Sequence, residues 1–344
     1  MLLRNIVNRE ELRKKMEADN RPYTTISFYR YFPIENPQEF RDQLYLNWIN
    51  HEVVGRVYVA NEGINAQIAL PSEHFEGFKT DLYKIEFLDG IRLNVAIEEN
   101  QKSFIKLDVK VRPKIVADGI EDPSFNPTNT GTYLTADQWN NYMDDDQTVV
   151  IDMRNHYESE VGKFENAECP DVDTFREELE VVIDKYEENK DKRILMYCTG
   201  GIRCEKASAW MRHNGFNEVY HLKGGIINYV KQVREKNLEN KFKGVNFVFD
   251  QRLHERVSDD IISSCHQCGE PADVHINCAN TACHLLFIQC EKCAAKYNSC
   301  CSQECTDFIK LPENEQKEKR KGRVSQRIFR KGRFPKAPLQ QNKH

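Results

Sequence analysis

The chain has 344 residues, 40% of them hydrophobic, and a formal net charge of −5. That is enough apolar material for two or three domains with cores of their own. No apolar run approaches the roughly 20 residues of a membrane-spanning helix, and Met1-Leu2-Leu3-Arg4-Asn5 lacks the features of a secretory signal. The sequence therefore argues against a membrane partner and for a cytoplasmic location, where the twelve cysteines would be reduced or metal-bound, not disulfide-paired.

Residues 1–119 are expected to form a first domain. Thr24 to Tyr31 alternates as a strand. Asn36 caps a helix that has Pro37 at its first position and carries Phe40, Leu44 and Trp48. Arg56–Ala60 and Asn65–Leu70 are strands around a turn at Asn61-Glu62-Gly63, and Ser72 is placed as the cap of a helix carrying Phe75, Phe78 and Leu82. Ile91–Ile97 alternates as a strand with Leu93, Val95 and Ile97 on one side. The order β-α-β-β-α-β predicts a ferredoxin-like α+β domain, and Phe104–Val111 adds a further strand. Regular alternation places Lys106, Lys110, Arg112 and Lys114 on one strand face. Such a face suits phosphate contacts, so Lys110 and Arg112 are candidate RNA-binding residues. A merely solvated face fits the pattern equally well.

Gly119, Pro123, Pro127 and Gly131 mark residues 120–132 as a linker. A second domain, residues 133–240, begins with a helix capped by Thr135 or Asp137. Val149-Val150-Ile151 is an apolar strand ending in Asp152-Met153-Arg154. Ile194-Leu195-Met196-Tyr197 is another, followed by Cys198-Thr199-Gly200-Gly201-Ile202-Arg203 and then a helix. Val219–Leu222 is a third, ending in Lys223-Gly224-Gly225. Strands alternating with helices predict an α/β domain on a central parallel sheet, with ligand sites at the carboxyl ends of the strands. At one such end stands Cys198. The glycines allow backbone N–H groups to converge on its sulfur, while the helix N-terminus and Arg203 add positive charge. Each effect favours a thiolate, so Cys198 is the candidate nucleophile. Cys204 could resolve an oxidised Cys198, although a cysteine at a helix start is more often a core residue.

Residues Thr130 to Asn237 resemble a rhodanese domain, through Asp152 and Arg154, the Cys198–Arg203 loop and the Gly224-Gly225 turn. Four residues separate Cys198 from Arg203, as in rhodaneses and one fewer than in the related phosphatases. Further matches are Asn61-Glu62-Gly63-Ile64-Asn65-Ala66, Lys110-Val111-Arg112 with Ile115-Val116-Ala117-Asp118-Gly119, and Cys265-His266-Gln267-Cys268. With these, residues 1 to about 306 are similar to the bacterial rhodanese-like, oxygen-dependent tRNA uridine hydroxylases. The resemblance implies tRNA as partner, molecular oxygen as co-substrate and 5-hydroxyuridine at the wobble position as product. It also implies Cys198 as the catalytic residue. Thr199, Gly200, Gly201, Ile202 and Arg203 then shape the loop, and Asp152 and Arg154 brace its floor. There is no flavin or haem signature, and no protein partner is inferred. A sulfurtransferase carrying a persulfide on Cys198 would present the same loop. A non-catalytic RNA-binding protein is the alternative that an intact cradle argues against.

Residues 241–309 open with an apolar segment, Lys241 to Arg252, expected to pack back on the second domain. A cysteine-rich module follows, holding nine of the twelve cysteines. The pairs Cys265/Cys268, Cys278/Cys283, Cys290/Cys293 and Cys301/Cys305 give the donor count for two tetrahedral structural zinc sites. A cross-braced arrangement joins Cys265, Cys268, Cys290 and Cys293 in one site. Cys278, Cys283, Cys301 (or Cys300) and Cys305 make the other, with His266, His275 and His284 as substitute ligands. Unmetallated thiols packed as small apolar groups are the alternative. Residues 310–344 hold twelve Lys or Arg against three Glu. This basic tail on an acidic body is expected to be disordered and either to meet a polyanion through Arg320, Arg323 and Arg330 or to remain a solvated terminus.

Overall fold

The computed structural model describes residues 3, 7–98 and 103–321. The first domain begins with a helix that the sequence pattern had not suggested, α1 (Arg9–Ala18), capped by the Asn8 carboxamide, which accepts from the Glu10 N–H at 2.9 Å. There follow β1 (Tyr23–Tyr31), α2 (Pro37–Ile49), β2 (Val54–Ala60), β3 (Gly63–Pro71), α3 (Phe75–Tyr83), β4 (Asn94–Val95) and β5 (Leu107–Val111). The sheet order is β4-β1-β3-β2-β5, antiparallel except where β5 runs parallel to β2. This is the ferredoxin-like arrangement with one added edge strand. Strand alternation sends Ile26, Phe28, Val57, Ile64 and Ile68 into a core closed by Trp48 of α2 and Phe78 of α3. Full burial of each such side chain contributes about 1.5–3 kcal/mol. The opposite face carries Ser27, Tyr29, Tyr58, Asn65 and Gln67 and turns toward the second domain.

Three expectations for this domain need correction. Only Asn94–Val95 of the Ile91–Ile97 run pairs as a strand, because the chain then leaves the sheet. The Ile97 N–H donates to Glu255 at 2.9 Å, and its side chain packs in the core of the second domain, not beside Val95. Ser72 does not cap α3. It begins a 3₁₀ turn, Ser72–His74, and its hydroxyl meets Thr24 at 2.9 Å. The basic row is also broken: β5 ends at Val111, and Lys114 turns away from it to bind Asp118 and the Ile120 carbonyl.

The second domain contains β6 (Thr132–Leu134), α4 (Ala136–Met143), β7 (Thr148–Asp152), α5 (His156–Ser159), β8 (Gly162–Phe164), α6 (Phe175–Tyr186), β9 (Arg193–Tyr197), α7 (Ile202–His213), β10 (Val219–Leu222) and α8 (Gly225–Lys236). Thr135 is the cap of α4, in a capping box with Gln138. The central sheet, β6-β10-β9-β7, is parallel. Helices α6 and α7 cover one face, with Leu179, Val182 and Met211, and α4 and α8 cover the other, with Trp139, Tyr229 and Val230. The next strands, β11 (Phe242–Phe247) and β12 (His254–Arg256), extend β8 in the order β12-β11-β8, so the Lys241–Arg252 segment does return to this domain.

The remaining elements are β13 (His275–Asn277), β14 (Leu286–Ile288), α9 (Glu291–Tyr297), α10 (Gln303–Ile309) and α11 (Glu313–Arg320). Helix α11 falls in the segment expected to be disordered. It is held by a Lys317–Glu313 pair at 2.7 Å and by the Gln316 carboxamide donating to the Ile309 and Leu311 carbonyls at 3.1 and 2.8 Å. Arg323 and Arg330 lie outside the described residues. Among the described residues, no helix is long and apolar enough to cross a membrane.

A buried ion cluster fixes the first domain on the second. Lys206 of α7 is 1% exposed and binds both Glu62 and Asp118, while Glu62 also accepts the Ile115 N–H at 2.8 Å. A charge so enclosed persists only when it is paired. The Asn61–Gly63 turn thus serves as a docking point for α7.

Candidate active site

Cys198 follows β9 directly, and its loop curls back before α7. Gly201 has φ +104°, which a side chain rarely adopts, and its N–H donates to Cys198 Sγ at 3.2 Å. The floor is the start of α8. There Gly225 packs so closely that a Cβ would lie 2.4 Å from the Cys198 carbonyl and 2.5 Å from that of Thr199. The N–H groups of Ile226 and Ile227 donate to those same carbonyls at 3.0 and 3.2 Å. The loop conformation is therefore set by backbone contacts and does not depend on the cysteine side chain.

Arg203 faces a buried partner that local sequence does not reveal. Its guanidinium binds the Glu158 carboxylate through two bonds, 2.7 and 2.8 Å, with Glu158 fully buried. This ties α7 to α5, and its charge still acts on the neighbouring sulfur. Burial opposes a charged Cys198. The Cys204 thiol, the Arg203 charge and the N–H groups of Cys204 and Gly201 outweigh it and lower the pKa to about 6. Cys204 is itself buried, and burial together with the adjacent sulfur keeps its thiol protonated. It therefore donates to Cys198.

Asp152 and Arg154 lie beneath the loop as a buried pair, joined at 2.8 and 2.7 Å. Arg154 also donates to the Gly162 carbonyl at 2.6 Å, and the Tyr197 hydroxyl donates to Asp152 at 2.7 Å. These contacts lock β7, β8 and β9 together and leave neither group facing a substrate. Glu178 of α6 is fully buried, with neither carboxyl oxygen hydrogen-bonded; burial pushes its pKa well up, so it holds a proton.

A cavity of about 730 Å³ opens above Cys198. One wall is the polar face of the first-domain sheet. Asn94, Ser27 and Gln67 stand side by side across three strands, with Tyr29, Asn65 and Tyr58 in the next row. This wall touches the loop directly: Asn94 donates to the Gly200 carbonyl at 3.4 Å, Tyr31 to that of Ile202 at 3.1 Å, and Tyr29 to Glu205 at 2.8 Å. Phe175, Ile227, Val248 and Phe249 form an apolar counter-wall, and Thr199, Gly200, Ile202 and Arg203 line the cavity beside Cys198. Lys110 is exposed and paired with Asp108. The Arg112 guanidinium lies 5.5 Å from the centre of the Tyr58 ring, and Tyr58 lines the cavity whereas Arg112 does not. Arg320 binds Gln316 at 2.7 Å and is not part of the cavity wall.

Eight of the nine module cysteines gather into two groups, Cys265/Cys268/Cys290/Cys293 and Cys278/Cys283/Cys301/Cys305, with the Sγ atoms of each group within 4.8 Å of one another. Cys300 stands outside both, and His266 instead meets Glu160 at 2.9 Å.

Alkylation of Cys198 is expected to accelerate with rising pH, with a midpoint at about 6. The thiolate is the reactive form, so the rate should fall about tenfold per pH unit below that midpoint and level off above it. A midpoint near the roughly 8.5 of a free thiol would mean that the cradle does not act on the sulfur.

Three family models match successive parts of the chain: a UPF0176 acylphosphatase-like domain over residues 23–115, a rhodanese-like domain over 135–232 and a rhodanese C-terminal domain over 243–306. Among solved structures, the rhodanese-like domain of an Anabaena protein is 20% identical over 33% of this chain and 78% of its own, with a TM-score of 0.26. The tRNA uridine(34) hydroxylase of Pectobacterium atrosepticum is 55% identical over 96% of this chain and 94% of its own. That of Photorhabdus laumondii is 54% identical over 96% and 95%. Identity of this order over 96% of the chain shows that the chain belongs to the tRNA uridine(34) hydroxylase family.

Proposed function

We propose that this protein converts the wobble uridine of tRNA to 5-hydroxyuridine in an oxygen-dependent reaction that uses Cys198. The observation that carries this is an acid-shifted thiolate in the wall of a cavity of about 730 Å³. Its size falls in the range of about 300–1,000 Å³ typical of small-ligand sites. An anticodon base is already unpaired and can be splayed out of its stack into such a space. The apolar counter-wall suits the faces of a base. Ser27, Gln67 and Asn94 offer hydroxyl and amide groups to its polar edge.

Cys198 Sγ adds to C6 of the uracil, placing electron density on C5. Replacement of C5–H by C5–OH is a two-electron oxidation. With molecular oxygen as oxidant, the second oxygen atom leaves as water, and two electrons and two protons come from an external donor. Loss of the C5 proton and of the thiolate then restores the C5–C6 double bond. The test is incubation of unmodified tRNA with the protein and a reductant under isotopically heavy dioxygen, followed by mass analysis of nucleosides. Heavy oxygen in 5-hydroxyuridine is expected, and unlabelled or absent product would overturn the reading.

The cradle also favours a second reading, since it would hold the outer sulfur of a Cys198 persulfide equally well. Sulfur transfer from thiosulfate to cyanide, with tRNA left unaltered, would select a sulfurtransferase.

The tail is proposed to bind tRNA phosphates. In α11 and Lys321 the basic residues stand among Glu313, Glu315 and Glu318, two of which are ion-paired. The surplus charge lies beyond, where residues 322–344 hold seven Lys or Arg and no acid. Truncation after Lys321 is expected to weaken tRNA binding and to flatten its salt dependence by about 0.7–0.9 for each phosphate the tail had neutralised. Turnover at saturating tRNA should survive. Unchanged affinity and slope would leave recognition to the first domain and the cavity rim.

A further inference from the structure

We infer that the C-terminal module binds two zinc ions, one in each group of four cysteines, and that the first ion also braces the active-site loop. Spacing is the first argument. Cys268 and Cys290 Sγ are 3.6 Å apart, Cys283 and Cys301 3.6 Å, and Cys301 and Cys305 3.8 Å. Disulfide sulfurs stand about 2.05 Å apart. Four thiolates about 2.3 Å from one tetrahedral ion are about 3.8 Å from each other. A cluster of several irons would hold its thiolates farther apart.

Composition is the second argument. The buried centre around the second group is Cys278, Cys300, Cys301 and Phe287, so most of it is sulfur. A module this small, with so little apolar area, gains its stability from metal staples. Polar donors are also aimed at the sulfurs: the Cys301 N–H reaches Cys278 Sγ at 3.4 Å, and the Asn280 carboxamide reaches Cys305 Sγ at 3.4 Å. Such donors suit sulfur that carries negative charge. Four thiolates per site leave no open position, so both ions are structural.

The two sites differ in what they hold. Cys265 and Cys293 pack against Val161 and Val245 of the second domain. His266, next to Cys265, meets Glu160 at 2.9 Å, and Glu160 directly follows α5, whose Glu158 holds Arg203. The first site is thus joined to the Cys198 loop through α5. The second group packs on Phe287, Ile276 and Ile309, within the module.

The test is metal analysis of the full chain, purified without chelator. Two zinc ions per chain are expected, with one fewer in Cys268→Ser, one fewer in Cys305→Ser and both retained in Cys300→Ser. Cobalt substitution of the unaltered protein should give the intense visible bands of tetrahedral thiolate coordination, which keeps the test decisive even if a variant fails to fold. Cys268→Ser should slow Cys198 alkylation at neutral pH several-fold, read on the Cys198 peptide by mass spectrometry, whereas Cys305→Ser should not. Fewer than two zinc ions, iron in their place, or loss of zinc in Cys300→Ser overturns the site assignment. Equal alkylation rates in Cys268→Ser and Cys305→Ser overturn the bracing role.

Discussion

Cys198→Ala is expected to lower 5-hydroxyuridine formation by about 10³-fold or more, the scale seen when a nucleophile is removed, with the melting temperature unchanged. The two halves of this expectation have separate causes. Activity is expected to depend on the sulfur, because the other candidates at that point of the cavity wall are not activated: Cys204 is buried and protonated, and the Thr199 hydroxyl donates only a long 3.5 Å bond to Glu158, whose two oxygens Arg203 already holds. Stability does not depend on the sulfur. The loop is held by the φ of Gly201, the close approach of Gly225 and the Ile226 and Ile227 N–H groups, all of which remain. Alanine also removes a buried charge whose desolvation disfavours the folded state. Cys198→Ser should be nearly as inactive, since a hydroxyl stays protonated where the thiol is ionised. Nucleoside mass analysis and calorimetry decide the matter, and full turnover by the alanine variant would take the thiolate out of the mechanism.

The cradle itself was legible because local sequence encodes it: a strand, a cysteine, two glycines and a helix follow one another without a break. The β-α-β-β-α-β order of the first domain was legible for the same reason. What local pattern could not supply was the partner of each polar group. Glu158 reads as the capping residue of a short helix, and it does reach back to the Asn155 N–H, but its carboxylate also closes on Arg203 from 45 residues away. Glu178 did leave a trace, since it falls on the stripe of Phe175, Leu179, Val182 and Tyr186 that faces the core. The polar wall of the cavity was hidden more completely. Ser27, Gln67 and Asn94 belong to strands whose adjacency exists only after the sheet forms, and the facing loop lies in another domain. The Ile91–Ile97 run misled because alternation predicts one buried and one exposed face along an unbroken strand. Here the strand ends at Val95, and Ile97, expected beside Leu93 and Val95, packs into the core of the second domain instead.

Removing Arg203 should reveal how the thiolate is held. Arg203→Ala takes away a positive charge beside Cys198 and leaves Glu158 buried without its partner. Breaking such a pair from one side costs about 3–5 kcal/mol, visible as a lower midpoint in denaturant. The alkylation midpoint should rise from about 6 toward the roughly 8.5 of a free thiol. At pH 7 the thiolate population would then fall by about thirty-fold, and activity with it. Arg203→Lys should recover only part of this, because an ammonium cannot reproduce the two parallel bonds to Glu158. Glu158→Gln separates charge from geometry. It destabilises the fold, as Arg203→Ala does, but leaves the Arg203 charge beside the sulfur with less to offset it. Its alkylation midpoint should therefore stay at or below that of the unaltered protein, opposite in direction to Arg203→Ala. A rise in both variants would mean that the acid shift comes from the packing of the loop and not from the guanidinium. The backbone donors of Gly201 and Cys204 would then carry the cradle by themselves.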